Sequence, residues 1–191
     1  MQLLKDKIRT SAKITDNRII QVDNFLNHQL DIALFNEIGK EFKRRFSAKE
    51  ITKIVTIETS GIAIASITAQ YFNNVPVVFA KKHAGLNMNK DVYEAKVFSY
   101  TKNQEYLIKI SKDYLTPNDK VLIIDDFLAS GSALLGLYSL LAQSGAEIAG
   151  VGIVIEKTFQ EGRKLIEEKG LHLESLAIID SLQDGQVIFK E

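Results

Sequence analysis

Two adjacent carboxylates, Asp125 and Asp126, stand between an apolar run and a short loop of small residues. The run, 121–124, is partly β-branched, and the loop leads into a second apolar stretch at helical spacing, 134–141. This pattern predicts a strand, a tight loop and a helix. Since ligands of open α/β sheets collect at the carboxyl ends of the strands, both aspartates are expected at a binding edge.

The loop that follows the aspartates predicts an anion site. Its side chains are small, so a ligand can approach the backbone N–H groups, and the N-terminus of the following helix favours negative charge. Carboxylates accept hydrogen bonds from hydroxyls while amides hold a phosphate, so a phosphorylated ribose has the expected shape. The loop has neither the Walker nor the dinucleotide glycine pattern. Its residues are Ala129, Ser130, Gly131, Ser132 and Ala133.

A second loop of this kind follows the strand predicted at 51–57. Ser60 and Gly61 precede the apolar helix predicted at 62–72, so a second anion site is expected at the same edge of the sheet. Taken alone, this loop is more simply an ordinary strand-to-helix turn, in which Thr59 or Ser60 caps the helix.

Charged and aromatic residues follow a third predicted strand, 148–155. They are Glu156, Lys157 and Phe159. From the residue types alone, the simplest interpretation of Glu156 and Lys157 is an ion pair at the surface.

A short strand is predicted at 75–80, with Lys81 and Lys82 directly after it. These lysines are either a chance pair in a solvated loop or anion-binding groups. A polar connection follows, and the two runs 92–100 and 104–110 then predict a β-hairpin.

The remaining segments predict a frame for these loops. Asp31 is the expected N-cap of a helix, and an apolar stripe at helical spacing faces the core while a basic run faces solvent. Residues 1–24 are expected to be irregular or short-stranded, and Gly145 is expected to end the helix after the first loop. The apolar stripe is Leu34, Phe35, Ile38, Phe42 and Phe46, and the basic run is Lys43, Arg44 and Arg45. The last part of the chain predicts a helix at 160–169 and strands at 173–179 and 186–189.

Composition narrows the class of protein. A chain of 191 residues suits one domain, 1–191, and the 24 Lys and Arg residues balance the 24 Asp and Glu residues, so no global field favours nucleic acid or a membrane surface. The absence of cysteine excludes disulfides, thiolate zinc sites and a cysteine nucleophile. The three histidines, His28, His83 and His172, lack metal-site spacing. With no signal-peptide or membrane-spanning stretch, a cytoplasmic protein is expected.

The motif Asp125-Asp126-x-x-x-Ser130-Gly131 resembles the ribose-phosphate motif of the type I phosphoribosyltransferases, which use phosphoribosyl pyrophosphate (PRPP). Segments 22–29, 51–63 and 153–159 extend the resemblance to nearly the whole chain. The commonest motif has Thr where Ser130 and Ala133 stand here, so the backbone amides must contribute more to phosphate binding. The resemblance implies an α/β fold with a parallel-dominated central sheet flanked by helices, an N-terminal hood segment, a mobile β-hairpin and a homodimer.

The resemblance also implies a reaction and a set of roles. The expected reaction transfers the 5-phosphoribosyl group from PRPP to N9 of xanthine, giving xanthosine 5′-monophosphate and pyrophosphate in purine salvage. Mg²⁺ is expected to accompany PRPP, with no direct protein ligand assigned. The implied roles are Asp125 and Asp126 for the ribose, residues 129–133 for the 5′-phosphate, Ser60, Gly61, Lys81 and Lys82 for the pyrophosphate, and Ile20, Asn27, Lys157 and Phe159 for the base.

Two alternatives stay open. One is a phosphoribosyltransferase with a different base, either hypoxanthine and guanine or adenine. The other is a non-enzymatic PRPP-sensing regulator that binds DNA, which would need a basic DNA-reading element that the neutral chain does not suggest.

Overall fold

A computed structural model describes residues 1–17, 19–82, 91–99 and 103–190. Its strands are β1 (Lys13–Thr15), β2 (Ile19–Gln21), β3 (Lys53–Ile57), β4 (Val77–Ala80), β5 (Val92–Ser99), β6 (Gln104–Ser111), β7 (Lys120–Leu128), β8 (Glu147–Lys157), β9 (Leu173–Gln183) and β10 (Gln186–Phe189). Its α-helices are α1 (Gln2–Ser11), α2 (Ile32–Arg45), α3 (Ser60–Tyr71), α4 (Ser132–Ser144) and α5 (Gly162–Glu167). A π-helical turn covers Asp23–Asn27 and a 3₁₀ turn covers Lys112–Tyr114.

The central sheet has six strands in the order β10-β9-β8-β7-β3-β4. All pairs are parallel except β9 with β10. Since parallel strands run in one direction, the carboxyl ends of β3, β4, β7 and β8 lie along one edge of the sheet. The α/β fold with a parallel-dominated sheet, predicted from the sequence, is confirmed.

Both faces of the sheet are buried. Leu122 and Ile124 of β7 belong to one apolar cluster, which also contains residues of α2 and α3. Val121 and Ile123 belong to a second cluster, which contains residues of α4 and of the β5–β6 hairpin. A strand covered on both faces must be apolar at every position, which explains the continuous run that precedes the aspartates.

Helix α2 forms as the sequence predicts. The Asp31 side chain accepts a hydrogen bond from the Leu34 amide at 3.1 Å, and all five residues of the apolar stripe are buried. The basic run is only partly a solvated face, because Arg45 is 19% exposed and pairs with Glu41 and Glu174. The ion pair with Glu174 ties the end of α2 to the start of β9.

The N-terminal segment differs from the prediction. Residues 1–24 contain the helix α1 as well as the short antiparallel strands β1 and β2. Leu4 and Ile8 are buried one helical turn apart, and their cluster includes Leu182 of β9. Two apolar positions on a strongly polar segment are a weak signal, so α1 depends on its packing against the sheet.

Several element boundaries also differ from the predicted ones. Strand β7 continues through the aspartates to Leu128, and β8 continues to Lys157. Helix α5 is shorter than the predicted 160–169. Gly145 has a left-handed φ of 73° at the end of α4, as predicted. The polar connection with His83, and Tyr100 of the predicted hairpin, lie outside the described residues. None of the helices in the described ranges is long and apolar enough to cross a membrane.

The β5–β6 hairpin packs against α4. The two strands are antiparallel from Val92 opposite Ser111 to Ser99 opposite Gln104, as predicted. Gly136 of α4 makes this contact possible, because a Cβ there would collide with Val97 Cγ2 and lie 3.0 Å from Ile108 Cδ1.

The Gly136→Ala variant tests this contact. Alanine favours a helix by about 1 kcal/mol over glycine, whereas overpacking a core costs about 1–3 kcal/mol. We therefore expect a net loss of about 1 kcal/mol in the free energy of unfolding, measured in urea. Ser139→Ala, at an exposed position of the same helix, is the control and should show no loss. A Gly136→Ala variant as stable as the parent protein would contradict close packing of the hairpin on α4.

Candidate functional site

Four chain segments meet at the carboxyl edge of the sheet. They follow β3, β4, β7 and β8 in sequence, and the parallel registers bring them side by side. The segments are 58–61, 81–82, 125–133 and 157–162. All the residues predicted for ribose, phosphate and pyrophosphate lie in them, as do Lys157 and Phe159.

The two aspartates form a close acidic pair within the last residues of β7. Asp125 is 4% exposed, whereas Asp126 is half-buried. Each carboxylate accepts a hydrogen bond from the next amide along the chain, Asp126 N to Asp125 Oδ1 at 3.0 Å and Phe127 N to Asp126 Oδ1 at 2.9 Å. Ile124 and Phe127 pack against the same cluster, so the two-residue alternation of the strand is interrupted across the pair.

The acidic pair carries unfavourable electrostatics. Burial, and then the negative charge of Asp126, raise the pKa of the Asp125 carboxyl well above its ordinary value, while the Lys82 ammonium acts in the opposite direction. A ligand that donates hydrogen bonds from hydroxyls, or that brings a cation, relieves this charge. The pair is therefore suited to a sugar diol.

The loop after β7 presents backbone amides at the start of α4. Gly131 has a φ of 83°, a left-handed conformation that favours glycine, and no side chain caps the helix from this position. The Ser130 hydroxyl accepts a 3.5 Å hydrogen bond from the Ser132 amide, and the Ser132 hydroxyl accepts one from the Phe98 amide at 3.2 Å. The remaining first-turn amides and the helix dipole favour an anion at this loop.

The loop after β3 touches the acidic pair directly. A Cβ on Gly61 would collide with Thr56 Oγ1 and lie 3.1 Å from Asp125 Oδ1. Helix α3 begins at Ser60, so Thr59 is its N-cap, one of the two residues predicted, although the Thr59 side chain makes no capping hydrogen bond. The start of α3, at Gly61, is therefore in contact with the acidic pair through Asp125.

Of the two lysines after β4, Lys82 belongs to the site. The Glu58 carboxylate accepts a hydrogen bond from its amide at 2.5 Å, and its ammonium lies 5.4 Å from the centroid of the Tyr106 ring. Burial, and then the negative charge of Asp125, raise the pKa of the Tyr106 hydroxyl. Lys81 is exposed, with its ammonium 5.9 Å from the centroid of the Phe79 ring.

Lys157, at the end of β8, lies against an aromatic ring. Its ammonium is 5.3 Å from the centroid of the half-buried Phe127 ring, and burial lowers its pKa. Within the described ranges no carboxylate pairs with it. Glu156 instead pairs with Arg163, so the interpretation of Glu156 and Lys157 as a surface ion pair is wrong. Lys157 is therefore a partly desolvated hydrogen-bond donor that pairs with no carboxylate of the described residues.

The other residues predicted for the base are less closely assembled. Ile20 is buried in the cluster against which Phe127 packs. Asn27 is an exposed residue at the end of the π-helical turn, and Phe159 is 46% exposed. No hydrogen bond or ring contact in the described part of the chain joins Asn27 or Phe159 to Lys157.

The sequence analysis did not select four residues that shape the site. Phe127 directly follows the acidic pair, so its position in the motif is the signal that could have identified it. Tyr106 and Glu58 act through contacts distant in sequence, and no local pattern marks them. Arg163 is one charge among several in a polar segment.

The site suits a metal ion that a substrate carries. No cluster of three His, Cys, Asp or Glu side chains is present among the described residues. Mg²⁺ is usually held by one or two carboxylates together with substrate phosphates and waters. The close pair of Asp125 and Asp126 beside two anion loops fits that donor set.

A parallel-dominated sheet with an acidic pair and a loop of small residues before a helix at its carboxyl edge is an α/β arrangement suited to a sugar phosphate. Residues 21–179 match the family model described as phosphoribosyl transferase domain. The chain belongs to this family.

Several relatives match the whole chain, and two of them illustrate the similarity. A protein of Clostridium tetani (strain Massachusetts / E88) named xanthine phosphoribosyltransferase is 65% identical over 190 residues, covering 100% of both chains. A protein of the same name from Clostridium novyi (strain NT) is 60% identical with the same coverage.

Solved structures share the fold. The structure of APRTase from Giardia lamblia complexed with 9-deazaadenine aligns with a TM-score of 0.76, covers 92% of this chain and 96% of that chain, and is 24% identical. Adenine phosphoribosyltransferase from Rhodothermus marinus DSM 4252 aligns with a TM-score of 0.74 over 94% and 100% of the two chains at 20% identity. The predicted type I phosphoribosyltransferase fold is confirmed.

Gly61→Ala tests the contact between the start of α3 and the acidic pair. The added methyl would displace Thr56 or the Asp125 carboxylate, and we expect PRPP affinity to fall about 100-fold, because small displacements in a positioned site have effects of that size. Calorimetric titration with PRPP measures the loss.

A second substitution makes this prediction specific. The Thr56 hydroxyl is buried and has no hydrogen-bond partner in the described structure, so Thr56→Ala alone should bind PRPP normally. The Thr56→Ala/Gly61→Ala variant should recover most of the lost affinity, since the colliding oxygen is gone. Equal affinity of Gly61→Ala and the parent protein would contradict the proximity of Gly61 to the ligand.

Proposed function

We propose that the protein transfers the 5-phosphoribosyl group of PRPP to N9 of xanthine, giving xanthosine 5′-monophosphate and pyrophosphate in purine salvage. One observation carries the proposal. The acidic pair, the anion loop after β7 and the Gly61 loop meet at one edge, where a ribose with a phosphate on one side and a pyrophosphate on the other would fit. Full-length relatives named xanthine phosphoribosyltransferase support the reaction.

Each part of PRPP has a proposed partner. Asp125 and Asp126 accept hydrogen bonds from the ribose hydroxyls, and the amides of residues 129–133 hold the 5′-phosphate. The loop with Ser60 and Gly61, together with Lys82, faces the pyrophosphate. Lys81 is proposed to reach the same group, although its side chain lies on Phe79 in the described structure.

Catalysis then consists mainly of positioning and electrostatic stabilisation. The bond from the sugar carbon to pyrophosphate breaks with its electron pair on the leaving oxygen. The bond from the sugar carbon to N9 of the purine forms as the base loses its imidazole proton, which the leaving pyrophosphate or water accepts. The sugar carbon becomes cationic between these events, so nearby carboxylates stabilise it. The Lys82 ammonium and the loop amides stabilise the leaving group. When bound, Mg²⁺ neutralises the pyrophosphate.

The choice of base depends on Lys157. Its ammonium donates to an oxygen at position 6 of a purine, whereas adenine carries an amino donor there, and a buried donor without an acceptor is costly. Phe127 offers a ring surface beside that ammonium, and Phe159 is proposed to stack on the base. Xanthine, guanine and hypoxanthine share the oxygen, so Ile20 and Asn27 are proposed to select at position 2.

The first test is nucleotide synthesis from PRPP and Mg²⁺ with xanthine, guanine, hypoxanthine and adenine in parallel. We expect xanthosine 5′-monophosphate with the highest kcat/KM, and loss of synthesis when a chelator removes Mg²⁺. Preference for another purine would overturn the base assignment. Folded protein that binds PRPP and duplex DNA but forms no nucleotide would instead indicate a regulator.

Lys157→Met tests the base donor. Loss of a hydrogen bond from a charged group costs about 1.5–3 kcal/mol, so kcat/KM for xanthine should fall about 10- to 100-fold. The KM for PRPP should change little, since the base lies away from the phosphates. Lys164→Met, at a lysine that is 78% exposed, is the control. An unchanged kcat/KM for Lys157→Met would exclude this role.

The homodimer implied by the resemblance and the cytoplasmic location expected from the sequence both stay predictions. Light scattering of the purified protein tests the first of these.

A further inference from the structure

A buried ion pair lies behind the anion loop. Glu156, at the end of β8, is 0% exposed. Arg163 Nε and Nη2 each donate to one of its oxygens at 2.6 Å, and the Ser175 hydroxyl donates as well. Arg163 Nη1 also donates to Glu167 at 2.9 Å. This carboxylate is fully satisfied inside the protein and is not available to a ligand.

The residue before Arg163 touches the anion loop through its backbone. The Gly162 amide donates to the Ala129 carbonyl at 2.9 Å. A Cβ on Gly162 would collide with that same carbonyl oxygen and lie 3.0 Å from the Gly131 amide nitrogen. The first turn of α5 therefore lies directly against residues 129–131, with no side chain between them.

We infer that Glu156 and Arg163 are positioning residues for the binding of the 5′-phosphate of PRPP. The guanidinium holds the start of α5 against the end of β8 with two parallel hydrogen bonds. Because Gly162 contacts the loop through its backbone, the position of α5 also fixes the position of the loop. The loop amides then point to one place, as phosphate binding requires. The inference rests on the proposed function for the identity of the ligand.

The geometry of the pair explains why arginine stands here. Its planar fork matches a carboxylate at two points, whereas a lysine ammonium contacts it at one and is free to swing. Arg163→Lys therefore keeps the charge but loosens α5. We expect the Kd for PRPP and for ribose 5-phosphate to rise about tenfold, because misplacement of a positioned group by about 1 Å has effects of this order or larger.

A double variant separates positioning from folding. Removing Arg163 alone leaves an unpaired buried carboxylate, which endangers folding. Glu156→Leu/Arg163→Met replaces both partners with apolar groups, which proteins often tolerate. We expect this variant to fold, by circular dichroism and cooperative melting, and to show the same rise in both dissociation constants.

Lys53→Met is the matched control. Lys53 and Asp119 form a second largely buried ion pair, with a separation of 2.9 Å, at the amino end of β3. Its loss should lower the melting temperature without changing either dissociation constant. If folded Arg163→Lys and the double variant bind PRPP within twofold of the parent protein, or if Lys53→Met weakens binding equally, the inference is wrong.

Calorimetry distinguishes this inference from the proposed function. Parent protein that binds PRPP without transferring it to xanthine would overturn the proposed reaction, while the variants would still report on positioning of the loop. Parent protein that binds neither PRPP nor ribose 5-phosphate would overturn both.

Discussion

Close packing around two glycines is the constraint on which this site depends. Gly61 lies against Thr56 and the Asp125 carboxylate, and Gly162 lies against the Ala129 carbonyl. Neither position has space for a Cβ, and protein interiors do not leave gaps that could absorb one. The glycines therefore allow the close packing that fixes the positions of the Asp125 carboxylate and of the loop at residues 129–131. Segments packed in this way have little freedom to move apart.

Two kinds of buried charge follow from this arrangement. Glu156 pairs with Arg163 and accepts a hydrogen bond at each carboxylate oxygen, so we assign it a structural role. Asp125 and Lys157 are different, because burial shifts the pKa of each toward the neutral form. A charge that the fold leaves incompletely compensated is costly until a ligand supplies its partner. The partners they need are a hydroxyl or cation for the acid and an oxygen acceptor for the amine.

Local signals in the sequence predicted most of the helices and strands that support the site. The Asp31 cap and the glycine after α4 work through neighbouring backbone, so residue types reveal them. The predicted partner of Glu156 was wrong. Its sequence neighbour Lys157 extends to Phe127, and the observed partner, Arg163, is seven residues away. Helix α1 was missed for a related reason, since it is stabilised by packing against strands near the other end of the chain.

The altered phosphate motif illustrates how local and distant residues combine. Ser130 and Ala133 stand where threonines are commonest in the family, and this leaves Ser132 as a second hydroxyl of the loop. That hydroxyl accepts a hydrogen bond from the Phe98 amide of the hairpin, and an acceptor hydroxyl keeps its own proton for donation. Hydrogen bonds in such a chain polarise one another, so a hydroxyl that accepts also donates more strongly. The contact with the hairpin therefore leaves the Ser132 hydroxyl proton free to donate to a phosphate on this loop, and it makes that hydroxyl a stronger donor.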